Sequence, residues 1–126
     1  MLAINLPEVM NQVRLAFETY EKNLTENNVD ALINSFWRHP SAVRFGANEN
    51  LYGWQEIQNF RQQRTPPAHR ELMRTIITTY GDEYANVSTE FKNAKGEVGR
   101  QMQSWIRTQE GWRIAAAHIS LLPAYK

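Results

Sequence analysis

The chain has no cysteine in 126 residues, which excludes a disulfide framework, a thiolate nucleophile and a cysteine metal site, and suits a reducing compartment. A dominant charge is missing as well. The 14 basic and 13 acidic side chains leave a net charge of +1, so no overall field draws the protein to nucleic acid or to an anionic membrane. No apolar run approaches the ~20 residues of a membrane-spanning helix, and the N-terminus has no basic segment followed by an apolar stretch. A cytoplasmic, unprocessed protein is the expectation. There is no Gly-rich phosphate loop, no HExxH, no GxSxG and no EF-hand loop. His39, His69 and His118 fall in different elements without ligand spacing, so neither a metal nor another cofactor is expected. Most aromatic residues sit at core-phase positions, which leaves no stacking platform for nucleic acid.

Of the 14 basic residues, ten are arginine. A planar guanidinium grips a carboxylate bidentately where an ammonium cannot, so small carboxylates are the ligand class that the composition favours. A chain of this length supplies one hydrophobic core and not two, and a single domain over residues 1–126 is expected.

Pro7 suits the first turn of a helix, and Val9, Val13, Ala16, Phe17, Tyr20 and Leu24 recur at helical spacing up to about Glu26. Tyr20 lies in that stripe. Its ring is expected to be buried, with its hydroxyl bonded either to core backbone or at a cavity wall. Asn27 and Asn28 break the chain, and Val29, Leu32, Ile33 and Phe36 then form a short second helix that ends before Pro40. Residues 42–45 and 51–52 read as short strands. Alternation turns Arg44 away from Val43 and Phe45, towards either solvent or a polar pocket. Glu49 is placed to orient it, or is a loop charge. Trp54, Ile57, Phe60, Arg61 and Arg64 follow at helical spacing, with the two arginines reaching either a cavity mouth or solvent. Pro66 and Pro67 end this third helix.

Residues 70–80 and 83–92 are strand-like, with Gly81 and Asp82 as their turn. Residues 99–122 read as a hairpin with a tight turn at Glu110 and Gly111. Strict alternation puts Trp112, Ile114, Ala116, His118 and Ser120 on the face covered by the helices, beside Trp105, Gln103 and Gln101. It puts Met102, Ser104, Ile106, Ala115, Ala117, Ile119 and Leu121 on the outer face. The expected architecture is α+β, with three helices on the concave face of a strongly curved antiparallel sheet. An apolar outer face implies a second copy of the chain. Gln101, Gln103, His118, Ser120 and Tyr20 would form a polar cluster in an apolar cavity, the ordinary form of a small-molecule site. Otherwise His118 is a core histidine with internal hydrogen bonds.

Four blocks in order, SFWRHPSAVRFGANENLYGWQEIQNFRQQR, TTYGDEYANVSTEF, GRQMQSW and GWRIAAAHIS, resemble the AtzH-like family. That family includes proteins of oxalurate and cyanuric acid breakdown and belongs to the SnoaL-like, nuclear-transport-factor-2-like superfamily. The resemblance implies a cystatin-like α+β cone, a curved sheet with three helices, together with a dimer through the outer sheet face and, for one branch, hydrolysis of carboxylated ureas. It implicates Tyr20 and Arg44 first, with Arg61, Arg64, Gln103 and His118 as pocket candidates. Met102 and Ser104 stand where the family more usually has a smaller residue and Thr.

Two functions follow. The first is a cofactor-independent amidohydrolase acting on a carboxylated urea or ureido acid. In it Arg44 clamps the carboxylate, Tyr20 donates to the oxyanion and His118 or a bound water moves the proton, while Arg61, Arg64, Gln101, Gln103 and Ser120 bind substrate. The second is a non-catalytic dimeric binder or accessory protein of ureido-acid catabolism.

Overall fold

The computed structural model describes residues 1–63 and 69–123. Helix α1 spans Pro7–Glu26 and buries Val9, Val13, Phe17, Tyr20 and Leu24 along one stripe. Pro7 opens it. Asn27 closes it in the left-handed region at φ 54°, a conformation that Asn tolerates better than most residues. The Asn28 N–H then returns to the Asn23 carbonyl at 2.9 Å, which satisfies a carbonyl at the helix end. Helix α2 is Val29–Asn34, shorter than its apolar spacing suggests. Phe36 instead forms a parallel bridge to Ile114, and the Trp37 N–H donates to the Ile114 carbonyl at 2.9 Å. Strands β1 (Val43–Phe45) and β2 (Asn50–Tyr52) form a small hairpin, and helix α3 runs Trp54–Gln63.

Four long strands complete the chain: β3 (Arg70–Tyr80), β4 (Tyr84–Asn93), β5 (Val98–Thr108) and β6 (Gly111–Leu121). The sheet order is β2-β1-β6-β5-β4-β3. All neighbours are antiparallel except β1 and β6, which run parallel with Arg44 beside Ala117. The sheet is therefore mixed and not wholly antiparallel. The path from β1 to β6 runs through β2, α3 and the three long strands β3, β4 and β5, and a return of that length permits parallel pairing.

Gly111 pairs with Thr108 as the first residue of β6, so Gln109 and Glu110 make the turn, one residue earlier than the sequence suggests. Near the middle of the hairpin Ser104 pairs with Ala116 and Trp105 with Ile114, which leaves Ala115 as an extra, unpaired residue. Such a bulge bends its strand and inverts the alternation beyond it. Trp112 and Ile114 face the helices as expected, but past the bulge it is Ala117, Ile119 and Leu121 that point inward. A second irregularity at Met73 does the same in β3.

The core joins α1 to the concave face, with Phe17, Tyr20, Phe36, Trp105 and Ile114 all buried. Trp105 is 1% exposed and Trp112 9%. The Trp112 indole donates to Gln12 on α1 at 3.0 Å.

Candidate functional site: an arginine-lined cavity

A cavity of about 340 Å³ lies between α1, α3, the β1–β2 turn and the ends of β4 and β6. Its lining brings together Arg44, Arg61 and Arg70, the hydroxyl-bearing Tyr20, the amides of Asn48 and Asn93, and Glu49. Leu24, Phe60, Phe91, Ile119 and Leu121 supply the apolar walls. The volume is at the lower end of the range for small-molecule sites.

Each polar group has a structural reason for its position. Arg44 projects inward because its cross-strand neighbour is Ala117, whose small side chain leaves the guanidinium room over the sheet. It is 2% exposed. Its Nη1 donates to Glu49 Oε1 at 2.7 Å, its guanidinium lies over the Phe60 ring at 5.3 Å, and its buried Nε has no hydrogen-bond partner among the described residues. Burying a guanidinium is costly unless its donors are used. Glu49 uses one of them.

Arg61, on the last described turn of α3, is 3% exposed and donates from Nη2 to the Tyr20 hydroxyl at 2.9 Å. Tyr20 therefore acts as acceptor towards Arg61, and its own proton has no acceptor among the described residues. Phe36 and Trp105 hold its ring edge-on at centroid distances of 6.3 and 6.5 Å. A phenol backed by a cation in this way is a fixed hydrogen-bond donor for an anion in the cavity.

Arg70 reaches the cavity from the start of β3, where its cross-strand partner Asn93 also lines the wall. It donates to both carboxylate oxygens of Glu21, from Nη2 at 2.7 and 2.5 Å, and more weakly to Gln101 at 3.4 Å. Its guanidinium lies 4.5 Å from the centre of the Phe91 ring. Gly99 makes that stack possible: a Cβ there would fall 2.1 Å from the Phe91 ring, so only glycine lets the ring lie across β5.

Of the residues singled out in the sequence, Tyr20, Arg44 and Arg61 meet at this cavity. Arg64 lies outside the described residues. Gln101 and Gln103 face inward and are both 2% exposed, but they stand behind the lining and not in it. Gln101 supports Arg70, and Gln103 accepts from the Trp105 indole at 3.0 Å. His118 and Ser120 are placed differently from expectation. The bulge at Ala115 turns them to the outer face, where His118 is exposed, pairs with Met102 and packs edge-on against Phe45 at 5.8 Å. His118 thus does not line the cavity. The sequence reading missed Arg70 and Glu21. The signal for Glu21 was its position beside Tyr20 at the margin of the buried stripe.

Among the described residues no three His, Cys, Asp or Glu side chains converge as metal ligands. Nor, among the described residues, is any helix long and apolar enough to cross a membrane.

A helix-covered cone with a polar pocket at its open end is the architecture of cystatin-like and nuclear-transport-factor-2-like proteins. The chain matches the AtzH-like family over residues 2–124 and belongs to it. It is 48% identical, over 95% of both chains and with a TM-score of 0.92, to a protein of unknown function of the DUF3225 family from Pectobacterium atrosepticum. A cystatin-like fold protein from Burkholderia xenovorans is 40% identical over 99% of this chain and 100% of its own, with a TM-score of 0.94. At the level of fold alone, an NTF2-like protein from Pseudomonas putida is 14% identical over 92% of this chain and 88% of its own, with a TM-score of 0.77. No curated protein matches the chain.

Proposed function

We propose that the chain binds a small carboxylate of the ureido-acid type in the arginine-lined cavity. The observation that carries this reading is Arg44. A buried guanidinium with one nitrogen engaged by Glu49 and a buried Nε without a partner is suited to a ligand carboxylate. Tyr20 and Arg61 add a directed donor pair, and Phe60 and Phe91, each with an arginine guanidinium over its ring, give the cavity apolar sides. The family resemblance narrows the carboxylates to carboxylated ureas.

Hydrolysis of such a ligand is the second reading, and the Tyr20–Arg61 pair is what favours it, since a cation-backed phenol stabilises developing negative charge on a carbonyl oxygen. With His118 on the outer face, a bound water would have to find its base elsewhere, and Glu49 is the one carboxylate in the lining among the described residues. A thermal-shift series with N-carbamoylglycine, a ureido acid, against uncharged methylurea tests binding. Ammonia release then separates hydrolysis from holding. Stabilisation by the acid alone supports the site, and an equal or absent response to both removes it.

We infer in addition that two copies pair through the outer sheet face. Register aligns Ile76, Ser88, Met102, His118 and Phe45 in one row across five strands. Ile76 and Met102 are 50% and 59% exposed in the single chain. The contact set differs from the one alternation suggested: Ala116 belongs to it, and Ala117 and Ile119 do not.

A further inference from the structure

The turn between β1 and β2 carries Glu49 into the cavity. It is closed by a 2.8 Å hydrogen bond from the Gly46 N–H to the Glu49 carbonyl and by the pairing of Phe45 with Asn50. The Glu49 carboxylate folds back over this turn onto Arg44, and it occupies the space where any other residue at position 46 would have its Cβ. A Cβ on Gly46 would fall 1.8 Å from Glu49 Oε1 and 2.9 Å from Arg44 Nη1. The backbone at Gly46 is not in the left-handed region that favours glycine, so what glycine supplies here is room for a carboxylate.

The two partners are buried unequally. The Arg44 side chain is 3% exposed and that of Glu49 is 25% exposed. The guanidinium is fixed in the wall, whereas the carboxylate sits towards the mouth on the end of a flexible side chain. It engages Nη1 alone, in place of the two-nitrogen fork that guanidinium and carboxylate form when geometry is free. An anion at Arg44 therefore meets a carboxylate of the protein on the same guanidinium.

We propose that Glu49 is the resident anion of this cavity. Seated in the space at Gly46, it holds Arg44 until the carboxylate of a ligand takes its place, and so it sets how tightly the cavity binds small carboxylates. The inference rests on reading the cavity as a carboxylate site. While Glu49 is in place the guanidinium is compensated and the site is tuned to weak, reversible anion binding. Once Glu49 swings out, Arg44 presents a buried charge for which a ligand carboxylate is the partner.

The contrary role is that of a positioning residue, with Glu49 aiming Arg44 at the ligand. The two roles predict opposite signs. Glu49→Gln removes the charge without changing the size of the side chain and so decides the sign, while Gly46→Ala expels the carboxylate from its seat without removing it from the protein and also presses on Arg44 Nη1, 2.9 Å from the new Cβ. Titration calorimetry with N-carbamoylglycine at low ionic strength should show tighter binding in both variants. The gain should be about tenfold or more, the scale expected when a like charge within a few Å of a bound anion is removed from a partly buried site. Gly46→Ala added to Glu49→Gln should give no further gain, because both act on one contact. Melting temperatures show that each variant is folded.

If wild type binds and Glu49→Gln binds equally well or more weakly, the inference is overturned and the carboxylate site stands. If no variant and no wild type binds the acid, the carboxylate site itself fails. Binding seen only in the variants supports Glu49 as a strong competitor.

Discussion

The Tyr20 hydroxyl accepts a hydrogen bond from Arg61 at 2.9 Å, joining α1 to α3 across the wall of the cavity with both side chains buried. Tyr20→Phe keeps the ring against Phe36 and Trp105 and removes only the oxygen. A buried hydrogen bond to a charged group contributes about 1.5 to 3 kcal/mol, so denaturant unfolding should show a loss of that order. Affinity for a ureido acid should fall with it, because the donor facing the ligand is lost as well. Wild-type stability and affinity in the variant would show that the contact does neither.

Glu21 and Arg70 form the second link, from α1 to β3, with side chains 11% and 8% exposed. Removing one member leaves a buried charge alone, so Glu21→Leu or Arg70→Met by itself should cost about 3 to 5 kcal/mol. The double variant should recover much of that loss, since an apolar pair of similar volume needs no compensation. Denaturation of all four proteins gives the coupling. Additive losses would mean that the pair contributes nothing as a pair.

The bulge at Ala115 makes opposite predictions for adjacent residues. Ala117 is 7% exposed and faces the helices, so Ala117→Glu places a carboxylate in the core and should lower the melting temperature sharply. Ala116 faces outward, and Ala116→Glu should leave the fold intact while separating a dimer into single chains by light scattering. A variant pair that behaved the other way round would put the bulge elsewhere. A wild type that stays monomeric at micromolar concentration would remove the dimer.

What could be read from the sequence follows from how local its determinants are. The α1 stripe from Val9 to Leu24 and the α3 face from Trp54 are set by helical period; the first runs as read, and the second does so up to Arg61, since Arg64, where it was read to end, lies outside the described residues. Alternation likewise turned Arg44 away from Val43 and Phe45. Whether it met solvent or a cavity depended on β1 lying beside β6, a pairing between residues more than 70 positions apart that leaves no local mark. His118 and Ser120 were misplaced because Ala115, Ala116 and Ala117 are identical, so the pattern holds no trace of the added residue. Arg70 was hidden in the same way. The irregularity at Met73 shifts the phase of β3 between Arg70 and the better-patterned residues that follow.

Arg44 carries the central claim, and titration calorimetry of wild type and Arg44→Lys with N-carbamoylglycine and with methylurea tests it most directly. Lysine keeps the charge and loses the fork, so affinity for the acid should drop by about tenfold or more while the variant melts close to wild type. Methylurea should bind neither protein appreciably. Equal binding of the acid and the uncharged urea by wild type, or an undiminished affinity in Arg44→Lys, would contradict the account.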